Sequence, residues 1–174
     1  GYPAKLQQVK TSGAHLCLYA GFKGTAAELG LPRTNLWIYP SPNHEENVAR
    51  FRENPAAPFP LLYISFPSAK DPAWADTHPD TSTVEVLTLA PWDWFEKWQG
   101  TPWGQRGKDY EALKAGFQMR LLQALYRELP QLRDAHERLK QLEARAVAAA
   151  AAVASNAAGP GSASGPGGGG GVSA

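Results

Sequence analysis

Sulfur chemistry is almost missing from this chain. Cys17 is its sole cysteine, so no internal disulfide framework can form and the fold has to rest on a hydrophobic core. A lone cysteine in an apolar run usually serves as a small core side chain. A reactive thiol needs a neighbouring cation or base, and the local sequence shows none. An excess of either charge is missing too, with 17 Lys+Arg against 16 Asp+Glu. Phosphate backbones are bound by clustered excess cation, so the balance argues against nucleic acid as a partner. Nor is there a polybasic segment for anionic lipid. Long apolar runs are absent: the longest, Ala146 to Ala154, is mostly alanine. It falls far short of the ~20 residues a membrane-spanning helix needs. No basic segment followed by an apolar leader is visible. The chain begins at Gly1, and its only methionine, Met119, lies inside a predicted helix, so it reads as a piece cut from a larger protein.

Recognisable catalytic signatures are also scarce. His15, His44, His78 and His136 lack metal-ligand spacing, and His44-Glu45 has no second histidine four residues on, so no metal is expected. There is no nucleophile elbow and no phosphate-cradling lysine loop. Gly165, Gly167 and Gly170 match the dinucleotide fingerprint only formally, because they sit in a glycine tract with no strand before and no helix after. Asp71, Asp76, Asp80 and Asp93 lie near predicted loops, and nothing in their spacing pairs them for acid–base work. Lys70-Asp71 has two readings: a salt bridge that forms a turn, or functional residues at a strand end.

What remains is a pattern of short elements. Strands are predicted at Ala14 to Ala20, Asn35 to Tyr39, Leu61 to Phe66 and Thr83 to Ala90. In the first, His15, Cys17 and Tyr19 face one side and Leu16 and Leu18 the other. Leu61 to Phe66 is apolar on both faces, which suggests a central position. Thr25 and Glu28 have capping-box spacing, ended by Gly30 and Pro32. Asn43 and Glu46 repeat that spacing before a polar helix to Glu53. Pro91 fits the first turn of a short helix through Trp98. A long helix from Asp109 to about Leu129 carries the stripe Tyr110, Leu113, Phe117, Leu121 and Leu125, and Pro130 stops it. The cluster Trp92, Trp94, Phe95, Trp98 and Trp103 reads as core packing, as the lining of a lipophilic pocket or as a rim near a membrane.

The fold class is therefore α/β (α+β-like), a mixed sheet of about four strands with packed helices over residues 1–134. An alanine-rich helix at 135–154 follows; it has little area to bury and packs weakly. Residues 155–174 are Gly, Ala, Ser and Pro with few exceptions, a composition that favours disorder.

Three long strings carry a resemblance: LWIYPSPN at 36–43, PLLYISFPSAKDPAWADTHPDTST at 60–83 and APWDWFEKWQGTPWGQRGKDYEALK at 90–114. With the leading SGAHLCLYAGFKGTAAELGLPRTNLW, they resemble the retinol saturases, within the wider FAD-dependent family of carotenoid isomerases and phytoene desaturases. The resemblance runs from about Ser12 to Asp134. It implies the substrate domain of a flavin-dependent oxidoreductase acting on a lipophilic polyene, a retinoid or a carotenoid. It implies FAD in the full-length family. The strand–GxGxxG–helix that would cradle the pyrophosphate is not in this chain, so the chain alone is expected to bind no FAD and to be inactive. Tyr19, Trp37, Tyr39, Tyr63 and Phe66 become the candidates to line an apolar substrate tunnel. Family members are usually membrane-associated, in the endoplasmic reticulum or in plastids. The alternative is a non-catalytic lipophile- or partner-binding module derived from that domain.

Overall fold

The computed structural model describes residues 2–9, 13–138, 140, 141, 144 and 145. One compact unit covers Gly1–His136, and a second begins at Glu137. The few described residues of the second unit are helical; most of the alanine-rich segment and all of the glycine-rich segment lie outside the described residues.

Four strands build one sheet, β1 (Ala14–Lys23), β2 (Leu36–Ile38), β3 (Leu62–Ser65) and β4 (Thr81–Ala90), and the α-helices run in chain order α1 (Tyr2–Leu6), α2 (His44–Glu53), α3 (Pro67–Lys70), α4 (Trp74–Thr77) and α5 (Lys108–Glu128). Their order is β1-β4-β3-β2. The α/β class, the four strands and the packed helices stand as the sequence predicts. Every pairing is antiparallel: Ala14 lies opposite Ala90 and Lys23 opposite Thr81, Tyr63 opposite Leu87, and Trp37 opposite Tyr63. β1 runs past the predicted break at Gly21, because Gly21 to Lys23 find partners in Thr81 to Thr83.

Strand alternation sorts the side chains onto two faces. The even positions Leu62, Ile64, Val84 and Val86 are buried on one face. They meet Leu121, Ala124 and Leu125 of the long helix α5 (Lys108–Glu128) in a single apolar cluster. Leu129, the C-cap of α5, and Leu132, beyond Pro130, join the same cluster, so the core continues into the segment that follows α5. Buried hydroxyls on this face are satisfied: Thr88 donates to the Leu61 carbonyl at 2.6 Å and Ser82 to the Gly24 carbonyl at 2.9 Å. A smaller cluster joins Phe51 of the helix His44–Glu53 to Phe117 and Ala57.

The stretch after β3, read as loop from the sequence, contains two single-turn helices, Pro67–Lys70 and Trp74–Thr77. Ser68 extends the ladder beyond the end of β3, accepting from the Thr83 amide at 2.9 Å and donating to the Thr83 carbonyl. The segment after Pro91 forms two short 3-10 turns, Trp92–Trp94 and Glu96–Trp98, in place of one helix. The N-cap of α5 is Gly107, at φ 81°, so the helix starts at Lys108, one residue before the predicted Asp109.

The Thr25 capping box is present. Glu28 accepts from the Thr25 amide at 2.8 Å and from its hydroxyl at 2.9 Å, and the Glu28 amide donates to the Thr25 hydroxyl at 3.2 Å. Gly30 closes the turn at φ 61°, a conformation in which a side chain is strained. The Thr25 amide, then its hydroxyl, favour the ionised carboxylate and hold the Glu28 pKa below its ordinary value. A lowered folded pKa means that the contribution is complete above the usual glutamate range and is lost as pH falls through the lowered value. Glu28→Gln should therefore lower the melting temperature at neutral pH and leave a smaller gap from the wild type below about pH 4. Melting curves across pH that stay parallel would refute the box's electrostatic part.

Candidate functional site: the outer face of the sheet

The odd positions of the strands make the second face. Tyr19 and Trp37 are 73% and 59% exposed on it, against a fully buried Val86 and Ile64 on the other side. Register places these side chains in rows across the strands. One row runs Cys17, Leu87, Tyr63, Trp37, and Trp37 meets Tyr63 edge-on at a ring separation of 4.7 Å. The next row runs Tyr19, Glu85, Ser65. The second row is polar, and Lys70 extends it: its Nζ donates to Ser65 Oγ at 2.9 Å and also to Asn35 Oδ1. The Cys17 thiol beside the Tyr19 phenol, by charge and by hydrogen bonding, pushes that phenol's pKa above its ordinary value, and Glu85 adds to the effect.

Three of the five residues singled out from the sequence thus share this face: Tyr19, Trp37 and Tyr63. Tyr39 lies just past β2 with its ring edge-on to His44 at 4.5 Å. Phe66 does not line a surface. It is fully buried in the main core, because alternation after Ile64 and Ser65 returns position 66 to the covered side. Cys17 also differs from expectation. It is exposed on the outer face, not a core residue.

Lys70 and Asp71 do not form the salt bridge that the sequence allows. Lys70 reaches across to β3 and Asn35, while Asp71 Oδ1 accepts from the Ala73 amide at 2.9 Å. Lys70 joins the polar row because the single-turn helix Pro67–Lys70 packs against β4 and its Nζ reaches back to Ser65, which the loop-like sequence did not announce. The tryptophan cluster divides. Trp94 stacks on Phe117 and meets Phe51 edge-on, so it packs, partly buried, against the smaller core cluster. Trp92, Phe95 and Trp98 line a cleft beside β1, and Trp103 is 91% exposed.

Among the described residues, no group of three or more His, Cys, Asp or Glu could hold a metal ion. A dinucleotide pyrophosphate is held by a glycine-rich turn between a parallel strand and a helix N-terminus. The described strands pair antiparallel, and the helix that follows β3 is a single turn starting at a proline. These residues do not fit that role. No described helix is long and apolar enough to cross a membrane.

Over 132 residues, the chain is 38% identical to an all-trans-retinol 13,14-reductase of Rattus norvegicus. This chain is a relative of the all-trans-retinol 13,14-reductases. The human protein of that name is 35% identical over 136 residues. A Danio rerio relative named inactive all-trans-retinol 13,14-reductase is 31% identical over 133 residues. These matches cover 74% to 76% of this chain but only 22% of each relative, so the chain spans about a fifth of the length of the retinol reductases it matches. No protein-family profile matches the chain. No solved structure matches it either. The retinol saturase resemblance drawn from the strings at 36–43, 60–83 and 90–114 is therefore borne out.

Proposed function

We propose that the outer face of the sheet is one wall of a substrate site for a lipophilic polyene, in an FAD-dependent oxidoreductase of the retinol saturase kind. The observation that carries this reading is the pair of adjacent rows. Cys17, Leu87, Tyr63 and Trp37 offer a flat apolar and aromatic strip. Tyr19, Glu85, Ser65 and Lys70 offer hydroxyl, carboxylate and ammonium groups about 7 Å along the strands, two residues away. An apolar chain that ends in an alcohol meets both needs at once: its body removes aromatic surface from water, and its hydroxyl finds donors and acceptors. Retinol has that form. A carotenoid hydrocarbon would use the first row alone. Since the described residues provide no pyrophosphate cradle, FAD would be held by other residues, and this chain's own part is to bind and orient the polyene.

Retinol titration into the chain, followed by quenching of tryptophan emission, tests the reading. Trp37→Ala should weaken retinol about tenfold, which is ~1.4 kcal/mol. Equal affinity of wild type and Trp37→Ala, or no binding by either, would sink it. A non-catalytic lipophile-binding module remains as a second reading, favoured by the Danio rerio relative whose name marks it inactive. Both readings use the same face, and they part on whether a chain that also holds FAD turns retinol over.

A further inference from the structure

A second concavity lies beside β1, an edge strand of the sheet. It is a cleft of about 330 Å³ whose walls include Leu16, Trp92, Phe95, Trp98 and Tyr110, with Arg106 as its one fixed cation. No aspartate or glutamate lines it. It meets a neighbouring cleft of about 400 Å³, which shares His15, Leu16, Phe95 and Tyr110, continues along Leu18, Phe117 and Leu121, and reaches Cys17 and Tyr19 at the outer face. Together they form an apolar groove with a guanidinium at one end.

Arg106 is held in an unusual state. One Nη donates to the Tyr110 hydroxyl at 2.7 Å, and the guanidinium lies 4.8 Å from the centre of the Tyr110 ring. Its Nε–H is buried and has no hydrogen-bond partner. No described carboxylate pairs with it; the ion pairs among the described residues involve other cations. A buried charged donor left without an acceptor is costly, and native structures rarely keep one without a reason. Tyr110 fixes the fork, Trp98 packs edge-on against Tyr110 at 5.1 Å, and the aromatic walls lower the local dielectric.

We propose that this groove binds a lipophilic monocarboxylate, with the carboxylate on the Arg106 guanidinium and the aliphatic tail along Leu16, Leu18 and Phe117. The planar fork of an arginine matches a carboxylate. A phosphate dianion would meet one arginine where two charges need partners. Of the other ionisable groups in the adjoining cleft, Lys114 already pairs with Glu111 at 3.4 Å. A cationic amphiphile would face the guanidinium directly. The groove borders the proposed retinol face at Cys17 and Tyr19 and is told apart from it by Trp37 and Tyr63, which line neither cleft.

The test uses the chain as it stands. Dodecanoate, below its micelle concentration, is titrated calorimetrically, and dodecyltrimethylammonium provides the same tail with the opposite head. Dodecanoate should bind at one site and the ammonium compound at least tenfold more weakly. Arg106→Gln should weaken dodecanoate tenfold or more, and Arg106→Lys should fall between. Trp37→Ala should leave dodecanoate unchanged, and Arg106→Gln should leave retinol unchanged, so failure of either site is told apart from failure of the other. Should the Gln variant not fold, the wild-type Arg106 Nε resonance, identified by its loss in Arg106→Lys, reports the contact: saturable movement with dodecanoate is expected. Equal binding of the two head groups, wild-type affinity in Arg106→Gln, or an unmoved Nε resonance overturns the proposal.

Discussion

Phe66→Ala is expected to cost about 3–5 kcal/mol of stability, among the largest single losses available in this chain. The ring is completely buried and belongs to the cluster with Ile64, Val86, Leu125 and Leu132. Removing it takes away the transfer free energy of an aromatic side chain. It also leaves a cavity between sheet and helix, which packed neighbours fill only in part. Phe66→Leu keeps most of the volume and should cost far less, about 1 kcal/mol. Urea unfolding of the three proteins measures the difference. The position was attractive from sequence as a pocket residue, and the experiment separates the two roles. A core residue loses stability first. If Phe66→Ala instead kept its stability and lost only retinol affinity, the assignment of position 66 to the covered face would be wrong.

Arg120→Met should destabilise the fold by about 2–4 kcal/mol. Arg120 projects from α5 and clamps the proline-rich connection before β3. Its guanidinium donates to the carbonyl oxygens of Pro55 and Ala57, the latter at 2.6 Å, and more weakly to Ala56 at 3.4 Å. The same group lies 4.4 Å from the centre of the Phe59 ring and 5.7 Å from that of Phe117. Partial burial pulls its pKa down from the usual arginine value, yet the guanidinium stays charged. Methionine replaces the stem but leaves those carbonyls without donors and both rings without the cation. Lysine, with three donors on a single nitrogen, cannot span the same arc, so Arg120→Lys should keep only part of the stability. A methionine variant within 0.5 kcal/mol of wild type in chemical denaturation would mean that the clamp contributes nothing.

Local chemistry made much of the fold legible. Leu16 and Leu18 against Cys17 and Tyr19 announced both a strand and its two faces. Thr25, Glu28 and Gly30 announced a closed turn, and the capping geometry is there. The stripe Phe117, Leu121, Leu125 marked the buried side of α5. Contacts set by distant partners stayed hidden. Arg120 meets carbonyls 63 to 65 positions away. Lys70 turns toward Asn35, and no spacing in the sequence encodes that meeting. Nothing in the sequence marked Arg106, because its isolation depends on Tyr110 and on the walls around it. On the candidate site, the aromatic identity of Tyr19, Trp37 and Tyr63 was legible. Their placement in two adjacent rows, Trp37 with Tyr63 and Tyr19 in the next, could be found only once the register of β3 between β2 and β4 was fixed.

The pairing of β1 with β4 also sets an order of events. β3 and β4 are joined by residues 66–80, whereas β1 and β4 are separated by residues 24–80, with β2 and β3 lying between. Closing the longer loop costs more chain entropy and waits on contacts that reward it. The β3–β4 pair can therefore assemble early, and β1 docks late along its ten-residue ladder. The edge groove beside β1 exists only after that last step. It is also the first feature to vanish when the edge strand opens, so anything bound there would act as a latch on the final stage of folding.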